Sequence, residues 1–422
     1  MLSRALCFLS AGLLLAQTAQ DPAAIAKKAL DLLMAQDYQG YSAMASPSYK
    51  PTVTEQAFAK LTAEIKGWGA VEKVGDAAVE KMGPTTLVTF PVNFATRNVN
   101  FRFAINASGL VAAMYPMPGA VAWQRPPYSK PDSFTERAVT IGADPWKLPG
   151  TLTVPKGGGP FPAVVLVHGF GPKDRDETTS ALKPFKDLAE GLATRGIVVL
   201  RYEKRRMQYA ARMSGTSYTP DDDTTDDAAA ALAVVRAQPE VDGKRVFLLG
   251  HDVGGYLAPR IAADDQKLAG IILMSANERP LEDVMLDQIE GLGITGKDLE
   301  RAKTAVARVK TLEASDSDAP SVLGLPAAYW IDLKGYDAAA EAKKLACPIL
   351  ILQGERDFQV GMKDFDAWKS GLAGRRDVTA KSYPALNHLF VAGEGKSTEA
   401  EYQKGGHVAP EVVDDLAKFM GK

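Results

Sequence analysis

Cysteine is almost missing from this chain of 422 residues, which has only Cys7 and Cys347. Cys7 falls inside an N-terminal apolar run read below as a leader, too early for lipid attachment. The mature chain then keeps Cys347 alone, and no intramolecular disulfide is open to it. Charge of one sign is also scarce. Lys and Arg number 49 against 51 Asp and Glu, a formal net charge of −2, which removes any electrostatic reason to expect nucleic acid or an acidic polymer as partner. Long apolar runs are absent beyond the first twenty residues, so no membrane span is expected. Histidine is rare enough, at four, that each can be weighed separately as a catalytic base.

The leader is expected over residues 1–20. Arg4 supplies a positive start, residues 5–16 are apolar but too short to span a bilayer, and small residues at 16–19 lead into the polar stretch from Gln20. The alternative, an N-terminal core helix, is opposed by Asp21 and Pro22. A signal peptide implies a secreted or periplasmic protein.

The remaining length suits two unequal domains. Residues 21–118 show helical spacing at 24–35 and 54–65. Short β-like runs follow at 85–92, 100–105 and 110–115, the last two joined by the turn Asn106-Ala107-Ser108-Gly109. This order predicts a small α+β domain, structural or dimerising in role, so that a homodimer is one expected assembly. Residues 119–134, with Pro126, Pro127 and Pro131, read as a stiff linker. From 135 to 422 the pattern becomes α/β. Apolar, β-branched-rich runs at 163–167, 197–200, 246–249, 271–274 and 349–352 alternate with helical segments such as 181–194 and 226–236. That alternation predicts a mainly parallel, doubly wound sheet. Residues from about 277 to 345 interrupt it and are expected to form a helical lid over the strand carboxyl ends, where such sheets bind ligands.

The chemistry centres on Gly250-His251-Asp252-Val253-Gly254-Gly255, set between a strand and a helix. A sharp turn here needs glycines beside its central residue and presents that residue's side chain above the sheet, next to a helix N-terminus. Asp252 is therefore the candidate nucleophile. His388, in Pro384-Ala385-Leu386-Asn387-His388, is the best-placed general base, since His251 is spent inside the turn, His168 ends an earlier strand and His407 precedes the last helix. Asp357 is the expected orienting carboxylate, with Asp364 and Asp366 as backups. The oxyanion donors are expected to be the backbone N–H groups of Val253 and of Phe170, in His168-Gly169-Phe170-Gly171-Pro172. The run Asp221-Asp222-Asp223 reads as a solvated helix start rather than a cation site, and no metal or organic cofactor is required.

Several stretches carry a family resemblance: Leu148-Pro149-Gly150-Thr151-Leu152, Val165-Leu166-Val167-His168-Gly169, Asp174-Arg175-Asp176-Glu177-Thr178, Leu249-Gly250-His251, Leu352-Gln353-Gly354, Asn387-His388 and Gly406-His407-Val408-Ala409-Pro410-Glu411. They resemble bacterial α/β hydrolases of the esterase and serine-aminopeptidase-like group. The N-terminal block resembles the small nuclear-transport-factor-2-like domain fused in front of some of them. The resemblance implies an α/β-hydrolase fold, a small-molecule substrate and acyl-bond hydrolysis through a serine at the turn. This chain departs at that residue, which is Asp252.

A carboxylate attacking an ester gives a mixed anhydride, whereas attack on an epoxide or a carbon–halogen carbon gives an ordinary ester that water can cleave. In this respect the turn is similar to those of the epoxide-hydrolase and dehalogenase branches, although they often place Trp where Val253 stands. Their leaving-group donors point to Tyr329 and Tyr336 for an epoxide oxygen and to Trp330 for a halide, with packing inside the lid as the other role for all three. Three functional readings follow. They are hydrolysis at an sp³ carbon through Asp252, carboxylic-ester hydrolysis with an altered nucleophile, and a disabled binding protein in which Asp252 merely pairs with His388 and raises its pKa.

Overall fold

The computed structural model describes residues 21–95, 97–119 and 123–421. The expected leader, with Cys7, lies outside the described residues. Contacts divide the chain after Val121.

In the first unit, helix α1 (Pro22–Met34) is capped by Asp21, whose side chain accepts the Ala23 N–H. It buries Ile25, Ala26, Ala29, Leu30 and Leu33, one stripe at helical spacing. Helix α2 (Tyr38–Met44) and helix α3 (Glu55–Gly67), the latter capped by Thr54, complete the helical layer. Five strands form one antiparallel sheet: β1 (Val71–Val74), β2 (Ala78–Met82), β3 (Thr85–Phe94), β4 (Asn98–Ile105) and β5 (Val111–Pro118). Strands β3 and β4 alternate buried and half-buried residues and pair with Phe90 opposite Phe101, so their aromatics share one face. The turn from β4 to β5 is closed by the Asn106 side chain, which accepts the N–H groups of Ser108 and Leu110.

The second unit holds an eight-stranded sheet built from β6 (Phe134–Ile141), β7 (Leu148–Pro155), β8 (Phe161–Val167), β9 (Val198–Tyr202), β10 (Val241–His251), β11 (Gly270–Met274), β12 (Ile349–Gly354) and β13 (Val378–Tyr383). Their spatial order is β13-β12-β11-β10-β8-β9-β7-β6. The six strands from β13 to β9 run parallel, and β7 pairs antiparallel with both β9 and β6. Alternate residues of each strand bury into opposite layers. Val164, Leu166, Leu249 and Ile272 pack under helices α4 (Pro184–Ala193) and, at the C-terminus, Pro410–Met420. Val165, Leu248, Ile271 and Ile351 face the opposite helical layer. Each such side chain contributes about 1.5–3 kcal/mol by leaving water, which is why the central strands are apolar throughout.

Between the strands run the one-turn helices α5 (Arg205–Gln208) and α6 (Ala210–Met213), then α7 (Asp226–Arg236) and α8 (Val253–Asp264). Asp221 to Asp223 form part of a π-helical turn leading into α7. Asp222 is solvated as expected, whereas Asp223 is buried against Lys204 and the partly exposed Asp221 pairs with Arg260. The insertion between β11 and β12 is helical: α9 (Leu281–Gly291), α10 (Gly296–Thr311), α11 (Ala327–Leu333) and α12 (Ala338–Lys344). Ala327, Tyr329 and Trp330 of α11 and Ala338, Ala339 and Ala342 of α12 are buried, with α11 packed against α10 and α12 against α8 and the helix Met362–Gly371. Helices α13 (Met362–Gly371) and α14 (Pro410–Met420) complete the unit.

Residues 123–133 are not a free linker. Trp123 Nε1 donates to Asp187 Oδ1 at 2.7 Å, Arg125 Nε and Ser129 Oγ each donate to Glu190 Oε2 at 2.6 Å, and Tyr128 donates to the Val408 carbonyl at 2.8 Å. The segment is fastened to α4, whose Asp187 and Glu190 are both buried.

Candidate active site

Strand β10 ends at His251 and α8 begins at Val253, so Asp252 alone makes the turn. Its φ of 51° and ψ of −122° are unusual for a residue with a side chain, a conformation that costs about 1–3 kcal/mol and is held by its surroundings. The Asp252 N–H donates to the Met274 carbonyl at 3.0 Å. Close packing requires the flanking glycines. A Cβ on Gly250 would lie 2.2 Å from the Gly254 carbonyl oxygen, and one on Gly254 would lie 2.4 Å from that of Val167.

The Asp252 carboxylate lies against the loop after β8, where its Oδ2 accepts the Phe170 N–H at 2.9 Å. The other carboxylate oxygen accepts no hydrogen bond among the described residues. Val253 opens α8, so its N–H has no acceptor in a preceding turn. Of the two expected oxyanion donors, the Phe170 N–H thus touches the Asp252 side chain and Val253 is the residue that follows it.

His388 follows β13 and Asp357 follows β12. The imidazole Nδ1 donates to Asp357 Oδ2 at 2.8 Å. Asp357 is held by further donors, the N–H groups of Gln359 and Val360 on Oδ1 and the Gln353 amide on Oδ2. This fixes the His388 ring and leaves its Nε2 for the cavity. The two backup carboxylates are elsewhere: Asp364 binds Arg279 and its backbone, and Asp366 lies beside Lys369.

Asp252, His388 and Phe170 line one cavity of about 380 Å³, whose wall includes Leu281, Met285 and Gln288 of α9 together with Gln359 and Tyr402. No hydrogen bond, and no ion pair within 4.0 Å, joins Asp252 to His388. The pairing that a disabled site would have used is therefore not formed. A base held apart from the carboxylate suits action on water, since an aspartate needs no deprotonation to be a nucleophile.

The three candidate lid donors are not in this cavity's wall. Trp330 Nε1 donates to the Val322 carbonyl at 2.8 Å, and Tyr336 donates to the Tyr256 carbonyl at 3.1 Å. Tyr329 is buried in the main core against Tyr218.

Glu177 is the site residue that sequence reasoning passed over, although its stretch Asp174 to Thr178 had been noted. It is 1% exposed and takes a positive φ of 53°. Its Oε1 accepts the Gly169 N–H at 2.7 Å, and its Oε2 lies 3.0 Å from His251 Nδ1. Burial disfavours a charged His251, but the Glu177 carboxylate, with Asp252 beyond it, outweighs this and pushes the imidazole up to about 9. Burial would likewise raise Glu177, yet His251 holds it down at about 2. The His251 Nε2–H donates to the His388 carbonyl at 3.1 Å, so the pair also braces the base. His168, by contrast, is pushed down to about 4 by burial and stays neutral. Among the described residues no group of His, Cys, Asp or Glu side chains is arranged to hold a metal ion.

Comparison with known proteins agrees with this architecture. Residues 164–413 match the alpha/beta hydrolase family. The chain is 37% identical over 362 residues to esterase EstD of Thermotoga maritima, an alignment covering 85% of this chain and 83% of that one. Among solved structures it resembles an esterase of Pyrococcus furiosus, with 13% identity, TM-score 0.45, and 72% and 97% of the two chains covered. It also resembles Est1E of Butyrivibrio proteoclasticus, with 18% identity, TM-score 0.44, and 68% and 99% covered.

Proposed function

We propose a specific chemistry for this chain, which belongs to the alpha/beta hydrolase family and is a hydrolase: it hydrolyses a small organic substrate at an sp³ carbon, of epoxide or carbon–halogen type, through a covalent ester of Asp252. The observation that carries this reading is the bond from Phe170 N–H to Asp252 Oδ2. One carboxylate oxygen already occupies the oxyanion position while the other is free.

In the first step the free oxygen of Asp252 attacks the carbon and the carbon–oxygen or carbon–halogen bond breaks, a halide leaving as the anion and an epoxide oxygen as an alkoxide that takes its proton from solvent water. The oxygen held by Phe170 becomes the carbonyl oxygen of the new ester. His388 then takes a proton from water, and the hydroxide adds to the Asp252 carbonyl carbon. The negative charge develops on the oxygen held by Phe170 N–H, with Val253 N–H as second donor. Collapse expels the alkoxide, which takes its proton from the His388 imidazolium, and the Asp252 acid gives its own proton to solvent to return the carboxylate. Asp357 stabilises the imidazolium throughout. An ester substrate fits less well, because its carbonyl oxygen needs the Phe170 N–H that Asp252 holds, and attack by a carboxylate yields an anhydride.

Carboxylic-ester hydrolysis is the second reading, favoured by the 37% identical relative named an esterase. In it, His388 and Asp357 activate water directly and Asp252 must release the Phe170 N–H. His388→Gln, incubated with epoxides, haloacids and aryl esters, separates the two by intact-mass spectrometry. An Asp252 adduct from an alkylating substrate is the expected result. Wild-type turnover of aryl esters, with no adduct from any alkylating substrate, overturns the sp³ reading in favour of the second. The expected leader is part of the same proposal and places the reaction outside the cytoplasm.

A further inference from the structure

We infer that Lys204 is a positioning residue for this reaction, acting through the peptide that supplies the oxyanion N–H. The inference rests on the reading of Phe170 N–H as oxyanion donor, which both proposed chemistries share.

The Phe170 N–H belongs to the same peptide unit as the Gly169 carbonyl. That bond is trans, so its C=O and N–H point in opposite directions. On one side Lys204 Nζ donates to the Gly169 carbonyl oxygen at 2.9 Å. On the other side the Phe170 N–H donates to Asp252 Oδ2 at 2.9 Å. A cation on the carbonyl draws electron density from the amide nitrogen, which makes its N–H a stronger donor, and it fixes the rotation of the plane. The lysine thus sets both the aim and the strength of the hydrogen bond that the transition state uses.

Lys204 is itself held for this purpose. It is 3% exposed, and its ammonium lies 3.2 Å from Asp223 Oδ2, a carboxylate that is 1% exposed. Asp223 sits in the π-helical turn before α7, and the Lys204 backbone N–H donates to the Lys173 carbonyl at 3.1 Å. The preceding peptide of Gly169 is pinned as well, by Glu177 Oε1. Opposite charges therefore grip consecutive peptide units of the oxyanion loop, each with its own buried counter-ion. A lysine that only satisfied Asp223 would have no reason to reach the Gly169 carbonyl.

The test uses the double variant Lys204→Met with Asp223→Asn, which avoids stranding a buried carboxylate. Lys204→Gln is read in its place if the double variant does not fold, and Lys204→Arg serves as the charge-retaining control. One readout needs no substrate. In protein labelled with ¹⁵N-phenylalanine, the Phe170 amide is identified as the signal lost in Phe170→Leu. Its proton is expected to move upfield in the charge-removing variant, with the other phenylalanine amides unchanged and Lys204→Arg close to wild type. The kinetic readout takes whichever epoxide, halide or ester the wild type turns over. There kcat is expected to fall roughly ten- to a hundredfold, with KM changed less than about threefold and partial rescue by Lys204→Arg. A Phe170 amide that stays in place in a folded charge-removing variant overturns the proposal, whichever substrate class proves correct. So does a change confined to KM.

Discussion

Glu177 and His251 face each other across 3.0 Å at the back of the cavity, both almost sealed from water, and the imidazole passes its other N–H to the carbonyl of His388. A buried ion pair of this kind is weak evidence for stability as a pair but expensive to break on one side. Glu177→Gln leaves His251 without its counter-ion and the Gly169 N–H with a weaker acceptor. We expect a loss of about 3–5 kcal/mol in urea unfolding, and a smaller loss for Glu177→Gln combined with His251→Gln.

The same pair and its neighbour shape stability against pH. His251 is raised from 6.5 to about 9, so its contribution is complete below pH 6.5 and is lost as pH climbs through 9. Glu177 is depressed from 4.5 to about 2, so its contribution is present above 4.5 and disappears as pH falls toward 2. His168 is depressed from 6.5 to about 4, so its contribution is present above 6.5 and is lost as pH falls through 4. Denaturation midpoints measured across pH should peak near neutrality. The alkaline decline should vanish in Glu177→Gln. Its survival there would show that His251 is not its source.

Removing the nucleophile gives the third expectation. Asp252→Asn should lower kcat by at least about a thousandfold while leaving the fold intact, because the amide keeps the shape but not the nucleophilicity. Asp252→Ser should gain aryl-ester hydrolysis, since it frees the Phe170 N–H and puts a hydroxyl in the cavity wall that also holds the Asp357-oriented His388. Initial-rate assays on purified variants decide both. Unchanged turnover by Asp252→Asn would exclude covalent chemistry at this residue.

Asp357→Asn should reduce kcat about 10³–10⁴-fold, through loss of the orienting carboxylate on His388 Nδ1. Asp364→Asn, by contrast, should act on stability alone, because Asp364 anchors Arg279 and lies outside the cavity wall. Parallel kcat and unfolding measurements on the two variants distinguish these roles.

Packing of the lid aromatics makes the fifth expectation a negative one for catalysis. Tyr336→Phe removes one hydrogen bond to the Tyr256 carbonyl and should cost about 1 kcal/mol of stability with kcat unchanged. A large fall in epoxide turnover would return Tyr336 to the site.

Much of this was legible in the sequence because it depends on local pattern. The parallel strands are apolar along their whole length since both faces are covered, and the turn at Asp252 announces itself through glycines that no Cβ could replace. The edge strands β6 and β13 lack that continuous apolar signal, with exposed and half-buried positions along both. Apolar helices read alike whether they line a cavity or pack on other helices, and within the insertion α9 does the first while α11 and α12 do the second. Glu177, Lys204 and Asp223 were missed for a different reason. Their roles arise only where separate loops converge on Gly169, and a charged residue in a loop carries no local mark of being buried.

The fastening of residues 123–129 onto α4 bears on where the hydrolase unit begins. A chain cut at Phe134, the first residue of its sheet, would keep every strand but lose both Arg125 and Ser129 from Glu190. The start of the unit is therefore set by the partners of one buried carboxylate and not by its first strand. Any boundary drawn for it belongs upstream of Trp123.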